Sequence, residues 1–474
     1  MKSKQNLDLT KGSIFEKLIV FAIPILLTNF MQQLYHSADM MVVGNFALDP
    51  EHALASVGAT TQITGLLVNF FVGIAVGANV VCAYARGAGD KEKERRAIST
   101  SICFSLVIGF AVAVLGWVLT PVLLEMINTP HEIRPQAALY MRIIFTGQPA
   151  TKLYNFCSAI FRARGNAKLS MRILTVTGLV NVLLNLLFVL GFHWDVAGVA
   201  IATVTANYLS SIAALVVLFH PEGEYRLTLK NLHWYKKEFL EIIRIGLPTG
   251  FNTMLFSISN VIVSAAANGL GKTVVASVSA VNNLSNLVHT TGTAFTSALI
   301  SFAGQNYGAG KIRRTEESFW KAILLVEGTF LVANVLITMF PGFFIRFFTQ
   351  DADVIRIGIP KLLLTCWGYM IYLFAEFSTS VKRGFGKSMT PTVLNIACVC
   401  GVRIIWVLGV FPFLPQTVFW LYVCLPLSWF FTAMAQMIDF HFVKKKVWKK
   451  CYEEGRLHPD DAAYYEAKLE RKKA

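Results

Sequence analysis

Val176-Thr177-Gly178-Leu179-Val180-Asn181-Val182-Leu183-Leu184-Asn185-Leu186-Leu187-Phe188-Val189-Leu190-Gly191-Phe192 is apolar on every side of a helix, broken only by short polar residues. A strand of an outer-membrane barrel alternates apolar and polar over about ten residues. This run does not alternate and is longer, so it reads as a membrane-spanning helix. Ala322–Phe340 reads the same way. Twelve such blocks of about 20 residues recur, the length that crosses a bilayer, centred near residues 27, 67, 107, 145, 180, 207, 252, 287, 327, 367, 397 and 428. The whole chain follows suit: 474 residues, 55% hydrophobic, 15% charged, mean hydropathy +0.54. A soluble chain carries about 25% charge. A soluble enzyme, a disordered chain and a secreted disulfide scaffold are excluded. The sequence predicts an all-α polytopic membrane protein.

The net charge of +15 is a matter of topology rather than of nucleic acid. With the N-terminus cytoplasmic, 35 of the 43 Lys and Arg fall on the cytoplasmic side, and only Arg134, Lys272 and Arg346 lie in the opposite loops. Both termini are therefore expected in the cytoplasm and the chain in the inner (plasma) membrane. No cleavage site precedes the first apolar run, so span 1 is expected in the mature chain. The eight cysteines show no disulfide or zinc spacing.

The chain also repeats itself. A shift of 221 residues lays Ala55-Ser56-Val57 on Ala276-Ser277-Val278, and Gly87-Ala88-Gly89 on Gly308-Ala309-Gly310. It pairs Gly147 with Gly368, Arg162 with Arg383 and Gly165 with Gly386. Pro24 matches Pro248 at 224. The expected architecture is twelve transmembrane helices in two homologous six-helix bundles, related by a pseudo-two-fold axis along the membrane normal. The lobes are residues 1–220 and 240–443, with a cytoplasmic linker at 221–239 and a charged cytoplasmic tail at 444–474. Parallel repeats of this kind suit a transporter whose site lies near the bilayer midplane.

Polar residues at membrane depth are costly and mark function or glue. Span 1 aligns Asn29, Gln32, His36 and Asp39. Two readings are open: Asp39 is solvated at the outer interface, or it forms a proton or cation site inside the N-terminal lobe. Pro24, mid-span, removes a backbone hydrogen bond and is a candidate hinge. Asn181 and Asn185 share a face of span 5, with Asn155 on span 4 and Thr203 on span 6. Their oxygens suit a hydrated proton or a hard cation such as sodium; asparagine pairs also bind helices together. In the second half, Glu376 stands where the first has Asn155, and Glu327 lies mid-span. These make a possible second acidic site, unless one of them neutralises Arg403. Asn282, Asn286 and His289 form a further stripe as cavity-lining candidates.

Two strings, Gly269–Thr273 and Gly384–Ser388, end like phosphate-binding loops but lack the leading glycine, which is Ala266 and Val381. No catalytic constellation is present, so an enzyme is not expected. Lys444-Lys445-Lys446 and Lys449-Lys450 read as a solvated, topogenic tail near anionic headgroups.

The chain resembles the multidrug and toxic compound extrusion (MATE) family over about residues 13–443. The resemblance rests on Ile23-Pro24 leading to Asp39 and Val43-Gly44, on Arg86 to Gly89, and on Gln305 to Gly310. Arg162 to Gly165, Val196 to Ala200 and Arg383 to Gly386 complete it. It implies a secondary active antiporter that exchanges a proton or sodium ion for lipophilic, cationic drugs by alternating access. Asp39 would bind the ion, helped by Asn155, Asn181 and Thr203. No cofactor is implied beyond that ion, and no metal beyond a sodium at Asp39. The sequence departs at Asn185, where many members have Asp, and at Tyr372, where some have a second acid. The expected partners are drug-like small molecules and the lipid bilayer, not nucleic acid, with the protein a monomer. The alternatives are a flippase for a lipid-linked saccharide and, in a different class, a membrane-embedded enzyme or receptor.

Overall fold

The computed structural model describes residues 6–220, 227, 228, 230 and 232–473. Part of the linker expected at 221–239 thus lies outside the described residues. Those described are helical or irregular, with no strand among them. The helices are α1 (Ile14–Phe46), α2 (Pro50–Gly87), α3 (Lys91–Met126), α4 (Arg134–Thr146), α5 (Gln148–Ala163), α6 (Ala167–Leu186) and α7 (Asp195–Phe219). The second half follows with α8 (Lys236–Asn268), α9 (Lys272–Gly308), α10 (Ile312–Met339), the short α11 (Pro341–Arg346) and α12 (Ala352–Gly384). Next come α13 (Met389–Asn395), α14 (Val402–Ile405), α15 (Val418–Tyr422), α16 (Cys424–Glu453) and α17 (Pro459–Lys473). Wider π turns continue α6 over Leu187–Gly191 and flank α14 at Ile396–Gly401 and Trp406–Val410.

Ten of these segments are long and apolar enough to cross a membrane by themselves. The other two expected spans have physical reasons to fall short. The fourth is split: α4 and α5 meet at Gly147, and Gln148-Pro149 opens the second piece, where proline fits the first helical turn. The eighth, α9, is unbroken over 37 residues but dilutes its apolar content with Asn282, Asn286 and His289.

The Val176–Phe192 run has two faces after all. Val176, Leu179 and Leu183 are 64%, 62% and 58% exposed, spaced three and four residues apart as one helical stripe for lipid. Thr177, Asn181 and Asn185 are buried on the other side.

The chain packs into two compact units. One holds Met1–Asp8, Ile23–Arg86 and Asp90–Gly246; the other holds Leu9–Ala22, Gly87–Gly89 and Leu247–Ala474. The boundaries drawn from the repeat differ from these packing boundaries at the first turns of α1 and α8. Each of those helices changes unit beside a proline, Pro24 or Pro248. In the first unit α2 and the start of α8 meet backbone to backbone. A Cβ on Gly77 would lie 2.1 Å from the Ile242 carbonyl oxygen, and one on Gly246 would lie 2.3 Å from that of Ile74. Small residues permit such close approach between membrane helices.

In the second unit both ends of the chain are pinned near the α9–α10 turn. The buried Leu9 donates its N–H to Gln305 Oε1 at 3.2 Å, and its carbonyl accepts from Asn306 Nδ2 at 3.1 Å. Lys311 Nζ donates to the Thr10 carbonyl at 3.0 Å. From the other end, Asp461 Oδ2 accepts the Arg313 N–H at 2.9 Å and caps the start of α10. Trp448 donates to Glu316 Oε1 at 2.7 Å and stacks on Tyr465, centroids 5.5 Å apart. Residues 444–473 are therefore not the freely solvated tail expected from their charge. The heptad-like placement of Val447, Trp448 and Cys451 gives α16 a buried face beyond the membrane.

Candidate functional site

Asp39 lies in the last third of α1, 5% exposed. Asn185 of α6 donates Nδ2 to Asp39 Oδ1 at 2.5 Å, and Thr203 of α7 donates Oγ1 to Oδ2 at 3.2 Å. A carboxylate only accepts, so Asn181 turns its amide nitrogen towards it. In that orientation Nδ2 donates to Asp39 Oδ1 at 3.3 Å, and Oδ1 accepts the Thr203 N–H at 3.3 Å. Two helices of the same unit, α6 and α7, thus supply three side-chain donors to one carboxylate on α1. Asn185 Oδ1 is left buried without a hydrogen-bond partner among the described residues.

Tyr35 and Gly178 set this geometry, and reading the polar residues alone does not find them. Tyr35 stands one turn before Asp39, and its hydroxyl donates to the Leu174 carbonyl at 2.9 Å. Its ring lies where a Cβ of residue 178 would be: an added methyl on Gly178 would come within 1.6 Å of Cζ. The missing side chain lets α1 settle against α6 one turn from Asn181 and two from Asn185. The available signal was a glycine inside an otherwise bulky apolar helix. An apolar cluster including Val42, Val43, Tyr140, Val189 and Val199 packs on the following turns.

Other expected residues are placed elsewhere. Gln32 and His36 are exposed, although they share the stripe with Asp39. Asn155 Nδ2 is buried and unpartnered among the described residues, one turn after Lys152, whose ammonium sits 4.4 Å from the Phe71 ring centroid. Pro24 lies in α1, and Thr28 Oγ1 donates to its carbonyl at 2.7 Å.

In the second unit, Glu376 Oε2 accepts from the Tyr369 hydroxyl at 3.3 Å. Glu327 Oε1, on α10, is buried without a partner among the described residues. Arg403 pairs with neither acid in an ion pair among those residues. Its Nη1 donates to Asn260 Oδ1 at 2.7 Å and its Nε to Ser428 Oγ at 3.2 Å, with Phe256 and Trp429 rings 5.1 and 5.8 Å away. Asn282 accepts from Lys361 Nζ at 2.5 Å, His289 lies 5.7 Å from the Tyr369 ring, and Asn286 is exposed. No cluster of three His, Cys, Asp or Glu able to hold a metal occurs among the described residues.

Against known proteins, the MatE family profile matches residues 24–187 and 248–439. The chain is 27% identical over 406 residues to the probable multidrug resistance protein YoeA of Bacillus subtilis (strain 168), covering 83% of this chain and 86% of that protein. It is 24% identical over 407 residues to the probable multidrug resistance protein NorM of Thermotoga maritima, covering 82% and 84%. A crystal structure of MATE in the bent conformation superposes with a TM-score of 0.87 at 20% identity, covering 95% of this chain and 99% of that one. Members of this family are transporters, not enzymes. With both halves of the chain matched in order, the protein belongs to the MatE family of multidrug and toxic compound extrusion transporters.

Proposed function

We propose that the chain is a cation-coupled antiporter exporting lipophilic, cationic drugs, with Asp39 as the group that takes up the proton or sodium ion. The observation that carries this is the buried carboxylate with its unpartnered neighbour, Asn185 Oδ1. A buried acceptor without a donor costs about 1–3 kcal/mol. A sodium ion, which takes oxygen ligands, would draw on Asp39, Thr203 Oγ1 and the asparagine oxygens. A proton would instead turn Asp39 into a donor, and a rotated Asn185 amide offers it an acceptor. Either ion uses the oxygen left over when the carboxylate is charged. Asn181, Asn185 and Thr203 then hold Asp39 in both states.

In this reading the lobes at 1–220 and 240–443 alternate access, in the inner membrane with both termini cytoplasmic, and the protein works as a monomer. Pro24 serves as the hinge, since proline leaves the Val20 carbonyl without its helical partner. Three acids at membrane depth, Asp39, Glu327 and Glu376, favour cationic cargo. A pyrophosphate-binding flippase would need several free cations gathered together; here Arg403, Lys361 and Lys382 are engaged by neighbouring side chains, and Arg383 and Lys152, unengaged among the described residues, stand singly in different units.

The test is drug efflux from proteoliposomes with proton and sodium gradients imposed separately. One gradient should drive efflux by the wild type, and Asp39→Asn should reduce it to the level of protein-free vesicles while still inserting. Efflux by that variant at the wild-type rate would sink the proposal.

A further inference from the structure

The second unit contains a small polar chamber that opens to solvent on one side. It is lined by Asn252, Thr296, Tyr372, Glu376, Thr379, Ser380, Arg383 and Asn395. The internal repeat offers a control for what such a place is when it has no task. At positions 221 residues earlier, Thr296, Ser380 and Asn395 become Ala75, Ala159 and Leu174, all buried in the core of the first unit. Arg383 and Thr379 become Arg162 and Ser158. There the pair is closed: Arg162 Nη1 donates to Ser158 Oγ at 2.8 Å, and Ser158 Oγ donates to Ser170 Oγ at 3.1 Å.

In the second unit that closure is missing. Ser170 is replaced by Pro391, which has no hydroxyl. Arg383 Nε and Nη2 and the hydroxyl of Thr379, a residue 2% exposed, are all buried without partners among the described residues. Leaving a buried donor unmade is costly, more so for a charged one. Three polar side chains introduced at or beside an unspent guanidinium are not what a core needs.

The balance of groups identifies the ligand. Thr296 and Ser380 already donate to backbone carbonyls, of Thr293 and Glu376. Asn395 Oδ1 already accepts from Gln436 Nε2 at 2.6 Å, which leaves its amide nitrogen to donate. Glu376 is engaged by Tyr369 and makes no ion pair with Arg383 among the described residues, though His289 and Arg383 both bear on its charge. What remains unused is donor capacity around a positive charge. A second cation would meet Arg383; an acceptor would satisfy it.

We propose that this chamber binds a small monovalent anion of chloride size, held by Arg383 and Thr379, with Glu376 as the negative charge that opposes it. The site is separate from Asp39 and belongs to the other unit. Three residues of its lining are polar where their repeat mates are apolar, so it is a property of this half of the chain and not of the repeat.

The experiment compares melting of the full-length, detergent-purified protein in sodium chloride and in sodium gluconate at equal ionic strength. Sodium is the same in both arms, so the outcome does not depend on which cation Asp39 takes. Chloride at saturation should raise the wild-type Tm by roughly 2–4 °C over gluconate, the size expected of ligand linkage in a protein with one site. Arg383→Gln and the milder Thr379→Val should each lose that difference. Glu376→Gln, which removes the opposing charge, should enlarge it. The proposal is overturned if the wild type melts alike in the two salts. It is equally overturned if Glu376→Gln shifts the chloride response in the same direction as Thr379→Val. Should Arg383→Gln fail to fold, Thr379→Val and Glu376→Gln still decide, because their effects must have opposite signs.

Discussion

Replacing Gly178 by alanine tests whether the Tyr35 contact sets the geometry around Asp39. The new methyl would lie 1.6 Å from Tyr35 Cζ and 2.1 Å from its hydroxyl oxygen, so the ring must move. Overfilling a packed site costs about 1–3 kcal/mol. Displacing the ring also breaks the hydrogen bond to the Leu174 carbonyl, worth about 0.5–1.5 kcal/mol. Alanine returns about 1 kcal/mol of helix propensity over glycine. The net expectation is a loss of about 1–3 kcal/mol, together with weakened ion-driven efflux, since Asp39 follows Tyr35 by one turn. The assay is thermal unfolding of Gly178→Ala, Tyr35→Ala and the double variant, each with transport measured alongside. With the ring gone the methyl has room, so the double variant should be more stable than the sum of the single effects predicts, as contacting residues couple. Strictly additive losses, or a Gly178→Ala protein as stable as wild type, would refute the reasoning.

Lys361 makes a second case: it is almost fully buried and donates to the Val278 carbonyl at 2.9 Å as well as to Asn282. Asn282→Ala should cost about 1–3 kcal/mol by stranding the ammonium, whereas Lys361→Met should stay within about 1 kcal/mol of wild type. The reverse order in thermal melts would show that Asn282 does not hold Lys361. For Asp461, burial pushes the carboxyl above its ordinary value in spite of the Arg313 N–H it accepts. A carboxyl raised on folding stabilises the docked state when protonated and loses that contribution as pH rises through the raised value. Protease protection of residues 454–473 should therefore weaken as pH rises from the acidic side. Asp461→Asn should flatten that dependence, and protection that instead strengthens with pH would contradict the assignment.

The sequence could be read where one chemical signal suffices. Apolar runs of the right length located twelve spans, of which ten are long and apolar enough on their own; the other two are weakened by the asparagines of α9 and by the break at Gly147 between α4 and α5. In the site, Asp39, Asn181, Asn185 and Thr203 were legible because a carboxylate and amides inside lipid must find one another. Gln32 and His36 share the period of Asp39 along α1 but not its burial, since a helical stripe is wider than the contact made by one neighbour. The partners of Arg403 were not legible. Opposite charge suggested Glu327 or Glu376, but an amide 143 residues away, a hydroxyl and two aromatic rings hold it. Charge also misled at the C-terminus, where the lysines of α16 share turns with Trp448 and Cys451, and the apolar residues decide the packing.

Pinning both ends of the chain near the α9–α10 turn has a consequence for biogenesis. Leu9 leaves the ribosome 296 residues before Gln305, and Arg313 precedes its cap, Asp461, by 148. At about 5–20 residues per second, the N-terminal segment waits about 15–60 s for its partner, and the first turn of α10 waits about 7–30 s more for its cap. The α9–α10 turn is therefore finished only once Asp461 has been made. A chain cut short between residue 439 and Asp461 would carry every helix the family profile matches and still leave that turn open, a mark by which a membrane protease can tell a truncated product from a finished transporter.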